Sequence, residues 1–195
     1  VANELIGPIT ATRALKWSGE AGRDRLGLVS FLEEEHIVVG LEGASFEEAV
    51  EHLAAVLFRV HHVRKALRPA ILQSIYEREA EGSTYIGQGI AIPHGIYDGG
   101  RDIIGVVGVS REGIPSSQPG GEPVHIIILI ATPESQRDRH LEVLRAVSLL
   151  FGRHQDTRDA ILSARTPWQV YELLQREEVA GYNPYLETGA EAARA

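Results

Sequence analysis

The sequence contains no cysteine and no methionine. Without cysteine there are no disulfides, thiolate nucleophiles or cysteine-ligated metals, a composition compatible with a reducing, cytoplasmic setting. Without methionine, a chain that begins at Val1 lacks a natural start and reads as a piece of a longer protein. Long apolar runs are missing too. The longest, Ile126 to Ala131, falls far short of the about 20 residues that a membrane-spanning helix requires. No basic stretch leads into an apolar one at the start, so no secretory signal is read. Basic charge is also scarce: Lys plus Arg number 19 against 27 Asp plus Glu, a formal net charge of −8. Nucleic acid and anionic membrane surfaces are therefore poor main partners. The local basic run from Arg59 to Arg68 reads as a solvated helix face.

What is present is a chain of 195 residues, enough for one domain with a sizeable core. Three parts are expected: an N-terminal helix and linker at 1–32, a main domain at 33–178 and a tail at 179–195. In the first part, Pro8 suits a first helical turn and Gly19 and Gly22 suit an exit. The main domain opens with a short β-rich run at 36–41. Ser45 with Glu48 three residues later forms a capping-box pattern ahead of a stripe of Phe46, Val50, Leu53, Leu57 and Val60. A second helical stretch is read from Val63 to Glu79, with a break where Pro69 begins a new helix.

From Thr84 the pattern turns to β. Residues 102–110 and 123–131 read as strands, the second apolar almost throughout and so a central strand covered on both faces. Between them, 111–123 reads as a turn-rich loop. A helix is expected from Pro133 to Phe151, with Leu141, Leu144, Val147, Ser148 and Phe151 on its inner side and Gly152 ending it. A short helix at 157–164 follows. Thr166, Pro167 and Gln169 then combine an N-cap, a first-turn proline and a third-position glutamine, opening a helix to about Glu178. The predicted fold class is α/β, a mixed sheet sandwiched between helices.

Familiar chemical signatures are absent. Ile92 stands where a dinucleotide fingerprint needs its third glycine, and there is no phosphate-binding GxxxxGK[ST] loop, HExxH, calcium loop or GxSxG elbow. Eight histidines remain. His61 and His62 are adjacent, so on a helix they diverge by about 100° and cannot chelate together. His36, His52, His125 and His154 fall on strand or helix edges and read as structural. His94 lies between Pro93 and Gly95 after a β-like run, where Gly95 is expected to let a phosphate or another protein approach the main chain. A neutral imidazole is a competent nucleophile near neutral pH. From the residues alone, an exposed loop histidine remains the plainer reading of His94.

The segment from Thr84 to Gly95, T-Y-I-G-Q-G-I-A-I-P-H-G, resembles the phosphohistidine segment of type-2 enzyme IIA domains of the bacterial sugar phosphotransferase system, mannitol/fructose type. Arg78 and Glu79 fall where that family has an Arg-Glu pair, and 123–151 resembles its strand, loop and helix with a second histidine, here His140. The resemblance covers about 36–177. It implies that His94 accepts a phosphoryl group from the histidine phosphocarrier protein, that His140 contacts the phosphoryl oxygens or orients His94, and that Arg78 offsets the added charge. It further implies that Thr84 and the backbone around Gly87, Gly89 and Gly95 help cradle the group. No cofactor and no metal are implied. The loop S-S-Q-P-G-G-E at 116–122 is longer than the family pattern, so the docking rim is expected to differ.

A second resemblance is shorter. Residues 4–20 are similar to the stretch after the last transmembrane helix of cation–proton antiporters. It implies a cytosolic regulatory domain joined to a membrane transporter domain in the same chain, either phosphorylated at His94 or sensing a ligand instead. A metal-binding or hydrolytic site built on His94 and His140 lacks an evident third ligand. If the phosphocarrier reading holds, the two imidazoles lie side by side, within roughly 4–8 Å, despite their separation in sequence.

Overall fold

A computed structural model describes residues 28–118, 120–152 and 155–181. The expected N-terminal helix opening at Pro8, the antiporter-like stretch, His154 and the tail beyond residue 181 lie outside the described residues. Strands β1 (Ile37–Val39), β2 (Tyr85–Gly87), β3 (Ile90–Ala91), β4 (His94–Tyr97), β5 (Ile104–Ile114) and β6 (Val124–Pro133) form one sheet. The order is β1-β5-β6-β3-β2, with β4 pairing β6 beyond β3. β5 runs antiparallel to β6, whereas β1 runs parallel to β5, and β3 and β4 run parallel to β6. The sheet is mixed, and β6 is its centre.

The alternation of strand side chains explains why β6 is apolar on both faces. Ile127, Leu129 and Ala131 join one buried cluster with Phe46, Leu53, Leu57, Ile71 and Ile75. Ile126, Ile128 and Ile130 join the other with Val143, Val147, Phe151, Val170 and Leu174. The first face is covered by α1 (Phe46–Val60) and α2 (Arg68–Glu81), the second by α3 (Arg137–Gly152), α4 (Gln155–Ser163) and α5 (Pro167–Gly181). Two helix starts are capped as the sequence predicts. Ser45 Oγ accepts the Glu48 N–H, and Thr166 and Gln169 satisfy each other's backbone N–H groups.

Four expectations need correction. The 111–123 segment is not loop throughout: β5 continues to Ile114, which pairs with Val124 across a register shift. Gly113, at a φ of 85°, accommodates that bulge, and its N–H is held by Ser110 Oγ. Leu141 is 71% exposed, and the inner stripe of α3 is instead Val143, Val147, Leu150 and Phe151. The second helical stretch starts later than Val63: a short 3-10 turn at Lys65–Leu67 leads into α2, whose first turn carries Pro69. The core also begins before residue 33, since Leu28 and Leu32 are both buried. The Val29 N–H there is held by Glu178 on α5, whose carboxyl is pushed up by burial.

Candidate functional site

β3 and β4 follow one edge of β6 in succession, interrupted at Ile92 and Pro93. Pro93 has no N–H to donate, but its carbonyl still accepts the Ile130 N–H at 3.0 Å. The chain re-enters the sheet at His94, paired with Ile130, followed by Gly95 paired with Ala131. Alternation then decides the directions. Ile130 belongs to the α3 face and Ala131 to the α2 face, so His94 is aimed towards α3 and Gly95 towards α2. A Cβ at Gly95 would come within 2.8 Å of the Ile75 backbone nitrogen and collide with Ser74 Oγ. Gly95 therefore serves the close approach of α2 to β4.

His94 is buried and not an exposed loop residue. Its Nδ1 lies 2.6 Å from the Ile92 carbonyl oxygen, which can only accept. The ring proton is thus on Nδ1, and Nε2 keeps its lone pair. Burial is the main influence lowering the His94 pKa from its ordinary value, with the Arg78 charge acting the same way; the Ile92 carbonyl and Glu79 oppose both. The imidazole is neutral near pH 7, the state a nucleophile needs.

His140, in the first turn of α3, packs beside it. The two ring centroids are 5.1 Å apart and the planes tilt by 52°. His140 Nδ1 lies 2.8 Å from Thr132 Oγ1, on the same face of β6 as Ile130. Its pKa is pushed down to about 4, by burial first and then by the charges of His94, Arg137 and Arg78. Arg78 donates to the Gly82 carbonyl at 3.0 Å and is felt electrostatically at both imidazoles. Glu79 holds the next turn of chain. One carboxylate oxygen accepts both the N–H and the hydroxyl of Thr84, and the other accepts Ser117 Oγ. The Thr84 carbonyl in turn accepts the Ile92 N–H, so this network braces the residue whose carbonyl fixes His94.

The structure thus gathers His94, His140, Arg78 and Thr84 into one region. Gly87 and Gly89 do not join it. β3 starts level with Ile126 and β4 with Ile130, which places the Gly87–Gly89 turn about 13 Å or more further along β6. Gly87, Gln88 and Gly89 have φ values of 99°, 55° and 74°, and the Gly89 N–H is already spent on the Tyr85 hydroxyl. Positive φ in a tight β2–β3 turn accounts for both glycines. Thr132 was missed in the sequence, although a lone hydroxyl inside an apolar strand is a usable signal. The histidines read as structural do form one further cluster. The His36 and His61 rings pack with their centroids 4.2 Å apart and their planes tilted by 47°, and His61 Nε2 donates to the Gly105 carbonyl. The ligand atoms of Glu33, Glu35 and His36 lie within 4.8 Å of one another there, separate from the His94–His140 pair.

Residues 30–177 match the family described as Phosphoenolpyruvate-dependent sugar phosphotransferase system, EIIA 2. The chain belongs to that family. A fructose-specific EIIABC component of Bacillus subtilis is 26% identical over 151 residues, which span 77% of this chain but only 23% of that protein. A nitrogen regulatory protein of Pseudomonas aeruginosa is 29% identical over 137 residues, 70% of this chain and 87% of that protein. Among solved structures, Nitrogen Regulatory Protein IIA-Ntr from Neisseria meningitidis superimposes with a TM-score of 0.67 at 28% identity, covering 75% of this chain and 98% of that one. The mixed sheet between two helical layers is accordingly the EIIA type-2 architecture. Among the described residues no helix is long and apolar enough to cross a membrane.

Proposed function

We propose that this EIIA domain is a phosphohistidine carrier that accepts a phosphoryl group on Nε2 of His94 from a histidine phosphocarrier protein and passes it on. The observation that carries the reading is the pairing of a tautomer-locked His94 with His140 at 5.1 Å. The Nε2 lone pair attacks phosphorus while the N–P bond of the donor imidazole breaks, its electron pair returning to the donor. The His94 ring proton stays on Nδ1 against the Ile92 carbonyl throughout. Such transfer depends on positioning and charge stabilisation. His140, neutral and held at Nδ1 by Thr132, offers its Nε2–H to a phosphoryl oxygen, and Arg78 supplies positive charge. Thr84 acts through Glu79 and Ile92 as a brace.

The same reading places the domain in the cytoplasm, as part of a larger membrane transporter or as its regulator. The fusion named in the Bacillus subtilis relative supports the first context. The antiporter-like stretch at 4–20 supports the second, where His94 phosphorylation tunes ion transport. The test is incubation with phosphoenolpyruvate, enzyme I and the phosphocarrier protein. Acid-labile, alkali-stable label should appear on His94 and vanish in His94→Ala, while His140→Ala slows transfer without moving the site. Wild-type chain that stays unlabelled by a phosphocarrier from the same organism would overturn the reading.

A further inference from the structure

A cavity of about 410 Å³ opens between α1, α2 and the segment at Ser117 and Gln118, and its lining includes Pro93 but neither His94 nor His140. Its volume lies within the range of small-molecule sites. Phe46, Val50, Ile75 and Pro93 give it an apolar floor. Glu47 and Glu79 carry the charge of its lining, which contains no Lys, Arg or His. Outside the lining, Glu51 accepts the hydroxyl of the lining residue Tyr76 at 3.2 Å, a further carboxylate next to the cavity wall. Glu47 is exposed and forms no ion pair among the described residues. The long 116–122 loop, unexplained by the phosphoryl site, contributes Ser117 and Gln118 to the wall.

Charge and shape select the occupant. An apolar floor beneath an uncompensated acidic rim suits a compact cation with a hydrophobic body, and aromatic rings in the lining add cation–π attraction. The cavity is also wired to the imidazole pair. Pro93 directly precedes His94. Glu79 ties the cavity loop, through Ser117, to Thr84 and so to the Ile92 segment that locks the His94 tautomer.

We propose that this cavity is an effector site for a small organic ammonium ion, whose occupancy is felt at His94 through Pro93 and Glu79. The regulatory half rests on the phosphocarrier reading of His94; the binding half does not.

The test uses the whole chain and two probes of similar shape, phenethylammonium and the neutral phenethyl alcohol, followed by NMR. The ammonium should bind about tenfold more tightly than the alcohol, as expected of a charge facing carboxylates in a partly desolvated site. Glu47→Gln should erase most of that preference. Ala80→Phe, a change at an exposed position on the cavity rim, should abolish binding while circular dichroism stays native. Equal binding of the two probes, no binding, or binding unaffected by Ala80→Phe overturns the site. Binding should also shift the His94 imidazole resonances in the unphosphorylated protein. Unmoved His94 resonances at saturation overturn the coupling. Since no phosphoryl donor is present, failure of His94 labelling elsewhere leaves these outcomes readable.

Discussion

Thr132 Oγ1 and His140 Nδ1 lie 2.8 Å apart inside the protein, so the hydroxyl bears on which ring nitrogen of His140 carries the proton. If the hydroxyl donates to Nδ1, the proton of the neutral ring sits on Nε2, where a phosphoryl oxygen requires a donor. Thr132→Val keeps the shape and removes the hydroxyl. It should leave a buried imidazole nitrogen unpaired at a cost of about 1–3 kcal/mol. Nitrogen chemical shifts should show His140 redistributing between tautomers, and transfer to His94 should slow by about tenfold or more. An unchanged tautomer with an unchanged rate would make Thr132 a packing residue only.

That residue marks the boundary of what could be read in advance. The apolar run of β6 from Ile126 to Ala131, both capped helix starts and the His94–His140 proximity were legible because each rests on local pattern or on a resemblance tied to particular residues. The course of β5 through Gly113 was not, since a bulge depends on which residue the partner strand offers, here Val124 opposite Ile114. Leu141 misled for a related reason. It lies near the helical stripe in sequence, but His140 takes the inward place and turns Leu141 to solvent. Gly95 and Gly89 look alike in sequence as glycines of the segment that carries the candidate phosphoryl acceptor His94. Register along β6 separates them, and register is a tertiary property.

Acid should weaken the fold through the imidazole pair. The His140 pKa is lowered to about 4 from an ordinary 6.5, and that of His94 is lowered too. The unfolded chain therefore takes up these protons at a higher pH than the folded one. The stability tied to the neutral rings is fully present above about pH 6.5 and is lost as pH falls through the folded values. Denaturant midpoints measured at successive pH values should decline across that window, and His140→Gln should flatten the decline. A wild-type curve no steeper than that of His140→Gln would show that His140 titrates normally.

Gly95→Ala tests the packing of β4 against α2. The added methyl meets the Ile75 backbone nitrogen at 2.8 Å as well as Ser74 Oγ, and a backbone atom cannot step aside as a side chain can. The expected loss is about 1–3 kcal/mol, read from thermal or denaturant unfolding. Ser74→Ala in the same chain should recover only part of it. Full recovery would mean that the serine alone sets the spacing.

Arg78 gives the sharpest test of the charge argument. A phosphoryl group adds roughly −1.5 to −2 charges near neutral pH, which a buried imidazole pair cannot offset while both rings are neutral. Two arginines are felt at the pair. Arg137 acts on His140 but is committed to an ion pair with Glu134 at 2.8 Å. Arg78 acts on both rings and, among the described residues, is anchored by the Gly82 carbonyl and forms no ion pair. Arg78→Ala should therefore lower the extent of His94 phosphorylation at equilibrium and slow transfer by about tenfold or more, while leaving the fold intact. The unphosphorylated variant offers an independent readout. Arg78 lowers the His94 pKa, so its removal should move the His94 titration upward. Arg78→Lys should restore that titration more fully than it restores transfer, because an ammonium supplies the charge without the guanidinium's forked contacts. If neither the titration nor the labelling changes in Arg78→Ala, Arg78 serves only the end of α2, and the cation that balances the phosphoryl group must be sought elsewhere.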